Sequence, residues 1–298
     1  MAQKLSNITM FTIIALVMAV GIGGLVIGCD DSSDDNGTDS DTDSETGSDS
    51  GTDTGSGDSD TGTGQDTDTA VFPPDVSAPR IMIVGDSISA GPGCYKSFLK
   101  ENLDENGYTA FEFVGEYEDD CGYGDVMHSA VSCTTTSDFK QDPTFPRPVN
   151  CPDLPLEEYP GMSTLVATHN PDLVMIQLGT NDVWGGTALI PLLLNNFTTL
   201  IDQARAHNPN MVFAVAMIHQ IITDNCTNTA STENAQEFNE ALPAWAEEHS
   251  MANSPIFIAD LWTNSDPENS NDCVHPNTDG ARQMGLDWYN TLKDILPQ

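Results

Sequence analysis

Five short apolar runs, each too brief for a buried helix, recur along the chain beyond residue 80. They are Ile81–Val84 closed by Gly85, Phe111–Val114, Leu173–Ile176 with Leu178, Met211–Ile218 and Ile256–Ala259. Runs of this length bounded by turn formers read as strands, most of them buried on both faces. Helical periodicity separates the later ones. One helix is expected near Leu192–Ala206, another over about Thr232–Glu248 with Ser231 placed to cap it, and a last over about Asp279–Leu296. Strands alternating with helices demand parallel pairing, right-handed crossovers and helices on both faces. The expected fold is therefore α/β: a flavodoxin-like three-layer α/β/α sandwich around a five-stranded parallel sheet. In such sheets ligands bind beyond the carboxyl ends of the strands, so residues that carry chemistry should come directly after strands.

They do. Gly85-Asp86-Ser87-Ile88-Ser89 succeeds the first run and Gly179-Thr180-Asn181-Asp182 the third. Asp272-Cys273-Val274-His275-Pro276 lies beyond the fifth, and Tyr159-Pro160-Gly161-Met162-Ser163 precedes the third. A serine hydroxyl needs a neighbouring base to act as a nucleophile. Ser87 sits at a strand-to-helix turn, where by itself it would serve equally well as a helix cap. His275 is the candidate base. Asp272, three residues earlier, is placed to orient the imidazole and stabilise the imidazolium. His219, after the fourth run, is the nearest rival base.

Taken together and in this order, the four blocks resemble the SGNH (GDSL-type) hydrolases. Gly85–Ser89 stands as block I, Gly161 as block II, Gly179–Asp182 as block III and Asp272–His275 as block V. The resemblance runs over residues 80–290, the whole folded part. It implies a serine hydrolase without cofactor or metal, with Ser87, His275 and Asp272 as the triad. It also implies an oxyanion hole built from the Ser87 backbone N–H, the Gly161 backbone N–H and the Asn181 side chain. Gly115 competes with Gly161 for block II; Gly161 is preferred because it leads into a short helix over about Ser163–His169. Tyr159 and Trp184 are candidates for lining the substrate pocket, Trp184 reading equally well as core. Glu158–Ser163 with Asp272–Asn277 looks most like the acetylxylan-esterase branch, carbohydrate esterase family three, which implies an acetylated polysaccharide as substrate. Two rival readings remain. A lipolytic or lysophospholipase-like esterase would need an apolar acyl groove. A catalytically vestigial surface carbohydrate-binding module is opposed by the intact Ser87, Asn181 and His275.

The start of the chain reads as an address. Lys4 precedes an apolar run from Ile8 to Gly28, the charged and hydrophobic regions of an export signal. Val26-Ile27-Gly28-Cys29 resembles a bacterial lipobox, which implies a signal peptide over residues 1–29 and lipid attachment at Cys29. The expected product is a monomer anchored to a membrane and facing the periplasm or the cell exterior. Residues 30–77 read as a tether. The stretch 30–70 holds fourteen Asp/Glu, no Lys or Arg and no aromatic residue. It cannot bury enough apolar surface to offset the entropy of ordering, and its like charges extend it. Its Asp-x-Asp spacing lacks the glycine and closing glutamate of a calcium loop.

Residues 78–298 then form the domain, with a Cys/Pro-rich insertion at about 116–158 that is too long for an ordinary loop. The chain carries 46 acidic and 9 basic residues, a formal net charge of −37. That excludes an ordinary nucleic-acid binder. With Cys29 lipidated, an even number of cysteines remains, as suits an oxidising compartment. Cys226 comes after the fourth run and Cys273 lies in the His275 loop, so these two are expected to pair. Cys94, Cys121, Cys133 and Cys151 would fasten the insertion, in an order the sequence leaves open. The absence of a tight Cys-x-x-Cys pair argues against a metal site.

Overall fold

Alternate residues of a single strand build two separate cores. β1 (Arg80–Gly85) turns Met82 and Val84 to one face of the sheet and Ile81 and Ile83 to the other. All four are fully buried, the double burial that a continuous apolar run requires. The structure, a computed structural model, describes residues 71–298 apart from 92–93, 120, 123–125, 149–150, 185–187 and 222–228. The expected signal peptide, Cys29, most of the tether and Cys226 lie outside the described residues.

From β1 the chain passes through α1 (Ser87–Ala90) and α2 (Tyr95–Glu105) to β2 (Glu112–Val114). The insertion contributes β3 (Tyr117–Glu118), β4 (Met127–His128), α3 (Thr136–Phe139), β5 (Thr144–Pro146) and β6 (Glu158–Pro160). β3 pairs with β4 and β5 with β6, both antiparallel. Then come α4 (Met162–His169), β7 (Leu173–Gln177), α5 (Thr180–Val183), α6 (Ile190–His207), β8 (Val212–Ala216), α7 (Thr229–His249), β9 (Ile256–Ala259) and α8 (Thr278–Leu292).

The main sheet has five parallel strands in the order β2-β1-β7-β8-β9. One face packs Met82, Val174 and Phe213 beneath Leu165 of α4, Phe197 of α6 and Phe238 of α7. The other packs Ile81, Met175 and Val212 beneath Leu99 of α2 and Trp288 of α8. This is the expected flavodoxin-like arrangement, and its strand order reverses direction between β1 and β7. That seam is the switch point at which such sheets place their ligands.

Three details differ from the sequence reading. α2 has no counterpart in it, although Tyr95, Leu99 and Leu103 repeat at helical spacing and are buried. Polar residues crowd the intervening positions, and Cys94 supplies no side-chain cap. Ser231 lies inside α7 rather than ahead of it. Phe72 is already buried in the core, so packing begins ahead of the expected domain start at residue 78.

α2 also carries a buried cation. Lys96 Nζ donates to the Ser89 carbonyl of α1 and lies 3.4 Å from the Asp119 carboxylate, the two side chains being only 1% and 5% exposed. Removing one partner of such a pair leaves the other charge desolvated, a loss of about 3–5 kcal/mol. Lys96→Met is therefore expected to lower unfolding stability by about that amount, measured by denaturant titration. A change below about 1 kcal/mol would show the pair to be dispensable.

Candidate active site

β1 and β7 run side by side to the same end, with Gly85 paired to Gln177. A side chain at Gly85 would collide with Ser89 of the succeeding turn, so only glycine lets the chain reverse here. Asp86 caps the turn, its Oδ1 accepting the Ile88 N–H at 3.0 Å. Ser87 is the first residue of α1, at the carboxyl edge of the sheet. The loop between β9 and α8 brings His275 to it: His275 Nε2 lies 2.8 Å from Ser87 Oγ. His275 Nδ1 lies 2.8 Å from Asp272 Oδ2 and 3.0 Å from Oδ1. With Nδ1–H donating to the carboxylate, Nε2 is left to accept from the serine hydroxyl. Partial burial opposes the charge on Asp272. The His275 backbone N–H, its imidazole and the Val274 N–H outweigh that and hold the carboxyl below the ordinary range.

Asn181 arrives from β7. Gly179 turns the chain with φ +113°, a conformation that glycine adopts without steric cost. Asn181 Nδ2 then donates to the Thr134 carbonyl at 2.9 Å. The next residue, Asp182, accepts from Thr136 N–H at 3.0 Å and from Thr136 Oγ1 at 2.6 Å. Val131 N–H donates to the Gly85 carbonyl at 3.0 Å. A segment of the insertion, residues 131–136, thus straps the end of β1 to the end of β7.

The Gly161 N–H donates to the Pro143 carbonyl at 2.9 Å, so it is spent inside the insertion. The glycine is needed for another reason: a Cβ there would overlap the Gln141 carbonyl. Gly115 is likewise a packing glycine, held against the backbone of His128. Tyr159 is 4% exposed and stacks on Phe145 with ring centroids 5.7 Å apart. It packs as a core residue beside Phe145. Trp184, which caps α5 just beyond Asn181, is 42% exposed.

The other histidines face elsewhere. His219 is buried with Nε2 2.8 Å from the Val274 carbonyl, and burial pushes its pKa down to about 4. It supports the His275 loop from beneath as a neutral donor. Asp125 precedes His128 by the interval that separates Asp272 from His275. His128, however, is buried on β4, where its Nδ1 accepts the Ala130 N–H at 3.2 Å.

Disulfides join Cys94 to Cys121 and Cys133 to Cys151. Cys273 is also disulfide-bonded, while its expected partner Cys226 lies outside the described residues.

A hydroxyl, an imidazole and a carboxylate in sequence at the switch point of a parallel sheet define a hydrolase of the serine type. Residues 83–283 match the GDSL-like lipase/acylhydrolase family, and the chain belongs to it. That family is one of lipases and acylhydrolases, enzymes that cleave carboxylic esters. The chain is 25% identical over 230 residues to a multidomain esterase of Ruminococcus flavefaciens, a match that covers 73% of this chain but 29% of that protein. The fold is similar to that of a carbohydrate esterase family 3 protein from Talaromyces cellulolyticus. That likeness has a TM-score of 0.60 and 23% identity, and covers 73% of this chain and 97% of the other. A family 3 carbohydrate esterase from Clostridium thermocellum has the same architecture, at TM-score 0.55 and 22% identity over 73% and 96% of the two chains.

Asp86, directly before Ser87 in the chain, is a fully buried carboxyl. Full burial and the neighbouring Asp182 carboxylate push its pKa up to about 7 against the help of the Ile88 N–H. A carboxyl raised in the folded state binds its proton more tightly there than in the unfolded chain. Its contribution to stability is present below the unfolded value of about 4 and is lost as pH rises through about 7. Asp86→Asn keeps an oxygen for the cap but cannot ionise. Wild type should therefore lose melting temperature relative to Asp86→Asn between about pH 5 and pH 8. Parallel melting curves across that range, traced by calorimetry, would refute the assignment.

Proposed function

We propose that this chain is an exported serine esterase that removes acetyl groups from an acetylxylan-type polysaccharide through an acyl-enzyme intermediate. The observation that carries the reading is the hydrogen-bonded series from Ser87 Oγ through His275 to Asp272. Ser87 Oγ attacks the ester carbonyl carbon as His275 Nε2 takes its proton. Negative charge collects on the carbonyl oxygen. The Ser87 backbone N–H and the second amide hydrogen of Asn181 are the donors assigned to it. Collapse of this intermediate expels the sugar hydroxyl, protonated by His275, and leaves acetyl on Ser87. Water, deprotonated by the same imidazole, then releases acetate and restores the serine.

The choice of substrate rests on several observations together. Glu158–Ser163 and Asp272–Asn277 resemble the family three pattern, and carbohydrate esterases share the fold. His275 and Asp272 are 32% and 56% exposed at their side chains, an open site that suits a group carried on a polymer. Trp184 offers an exposed aromatic face beyond Asn181 on which a sugar ring could lie. The apolar leader and the disulfides fit export to an oxidising compartment. Attachment through Cys29 and an acidic tether would let a monomeric domain reach an insoluble polymer from the membrane that holds it.

Full-length protein should hydrolyse p-nitrophenyl acetate at least about tenfold faster than the octanoate ester, and release acetate from acetylated xylan but not fatty acid from phospholipid vesicles. The reverse preference would replace this reading with a lipolytic one. Ser87→Ala should abolish turnover without altering the melting temperature. Asn181→Ala should lower kcat by about 10²–10³ with little change in KM; an equal effect on KM alone would remove Asn181 from transition-state binding.

A further inference from the structure

Among the described residues four non-glycine positions have left-handed backbone: Cys94 (φ 61°), Cys133 (φ 63°), Asn170 (φ 43°) and Cys273 (φ 74°). Asn170 ends α4, a usual place for such a residue. The other three are all disulfide cysteines. Each also stands beside one part of the site. Cys94 opens α2, the helix that comes after the Ser87 turn in the chain. Cys273 lies between Asp272 and His275. Cys133 lies within the strap whose next residue, Thr134, accepts the Asn181 amide.

For an L-residue this conformation crowds Cβ against the backbone and persists only where the surroundings enforce it. At Cys133 the enforcement is visible on both sides. Val131 is bonded to Gly85 before it, and Thr134 Oγ1 donates to the Val131 carbonyl at 2.7 Å after it. The bridge to Cys151 fixes the residue itself.

We propose that Cys133 is a positioning residue for Asn181: its bridge to Cys151 holds a left-handed turn that aims the Thr134 carbonyl, and that carbonyl orients the Asn181 amide toward the developing oxyanion. The proposal rests on the esterase reading above. On this view the disulfide acts on catalysis through one backbone angle, apart from what it adds to stability.

Two double variants of the full chain separate these roles. Cys133→Ala with Cys151→Ala removes the bridge and leaves a residue that resists the left-handed region. Cys133→Gly with Cys151→Ala removes the same bridge but adopts that region freely. With p-nitrophenyl acetate, the alanine pair should lose about 10–100-fold in kcat at nearly unchanged KM, the scale of a misplaced catalytic donor. The glycine pair should recover to within about threefold of wild type although, like the alanine pair, it lacks the bridge and melts below wild type.

Wild-type kcat in the folded alanine pair overturns the proposal. So does an equal loss in both pairs, which would make the bridge a stabiliser only. If the alanine pair does not fold, the glycine pair decides alone: a folded protein with about a hundredfold loss, or no folded protein by circular dichroism, also overturns it. A wild type inert toward every ester tested would instead sink the esterase reading, before any variant is made.

Discussion

The parallel pairing of β1 with β7 is the constraint on which the site depends. Ile81 through Gly85 run in register with Leu173 through Gln177, so the two strands end together. The turns that leave their carboxyl ends are therefore delivered to one place: the Ser87 turn from β1 and the Gly179–Asn181 turn from β7. Slipping a parallel strand by one residue would exchange its two buried faces. Both faces here are dense with apolar side chains committed to different helices, and this fixes the register. The energy that brings the Ser87 turn and the Gly179–Asn181 turn to the same end of the sheet is thus mostly the energy of burying two cores.

Around that seam the protein adds polar ties where the hydrophobic effect gives no direction. Lys96 reaches the Ser89 carbonyl from α2, Asp86 caps the nucleophile's turn, and His219 holds the Val274 carbonyl beneath the imidazole loop. All three side chains are buried. Buried polar groups are costly unless they are paired, and each of these is paired to the backbone of a segment of the candidate site. The Ser87–His275–Asp272 series is comparatively open, with His275 and Asp272 32% and 56% exposed at their side chains.

Much of this is legible in the sequence because two periodicities carry it. Short apolar runs bounded by Gly85 and Gly179 mark strands buried on both faces, and the alternation with helices leaves one sheet topology. Ser87, Asn181 and His275 can be singled out because each lies beyond the end of a strand. Spacing alone does not choose His275, since Asp125 and His128 share its interval, yet His128 is buried on the two-residue strand β4. Gly161 misleads because a glycine that admits a neighbouring carbonyl looks the same in sequence as one that offers its N–H to a substrate. Tyr159 misleads for a related reason: the aromatic residue of an insertion can be that insertion's own core, as its stack on Phe145 shows. The strap at residues 131–136 leaves no recognisable signal. Its Cys-Thr-Thr-Thr sequence has neither glycine nor apolar periodicity, and the left-handed turn at Cys133 is enforced by a partner 18 residues away.

The two ends of the domain meet. Phe72 and Val76 border one cleft with Ile295 and Leu296, in the same cluster. α8 starts beside the imidazole loop, at Asn277, and runs back toward that cleft. Entry and exit of the polypeptide therefore share the side of the domain opposite Ser87. Coupling the domain to a bead or fusing it to another module through either end leaves the mouth of the site unobstructed, and circular permutation across the short gap between them would carry both ends elsewhere without cutting a strand.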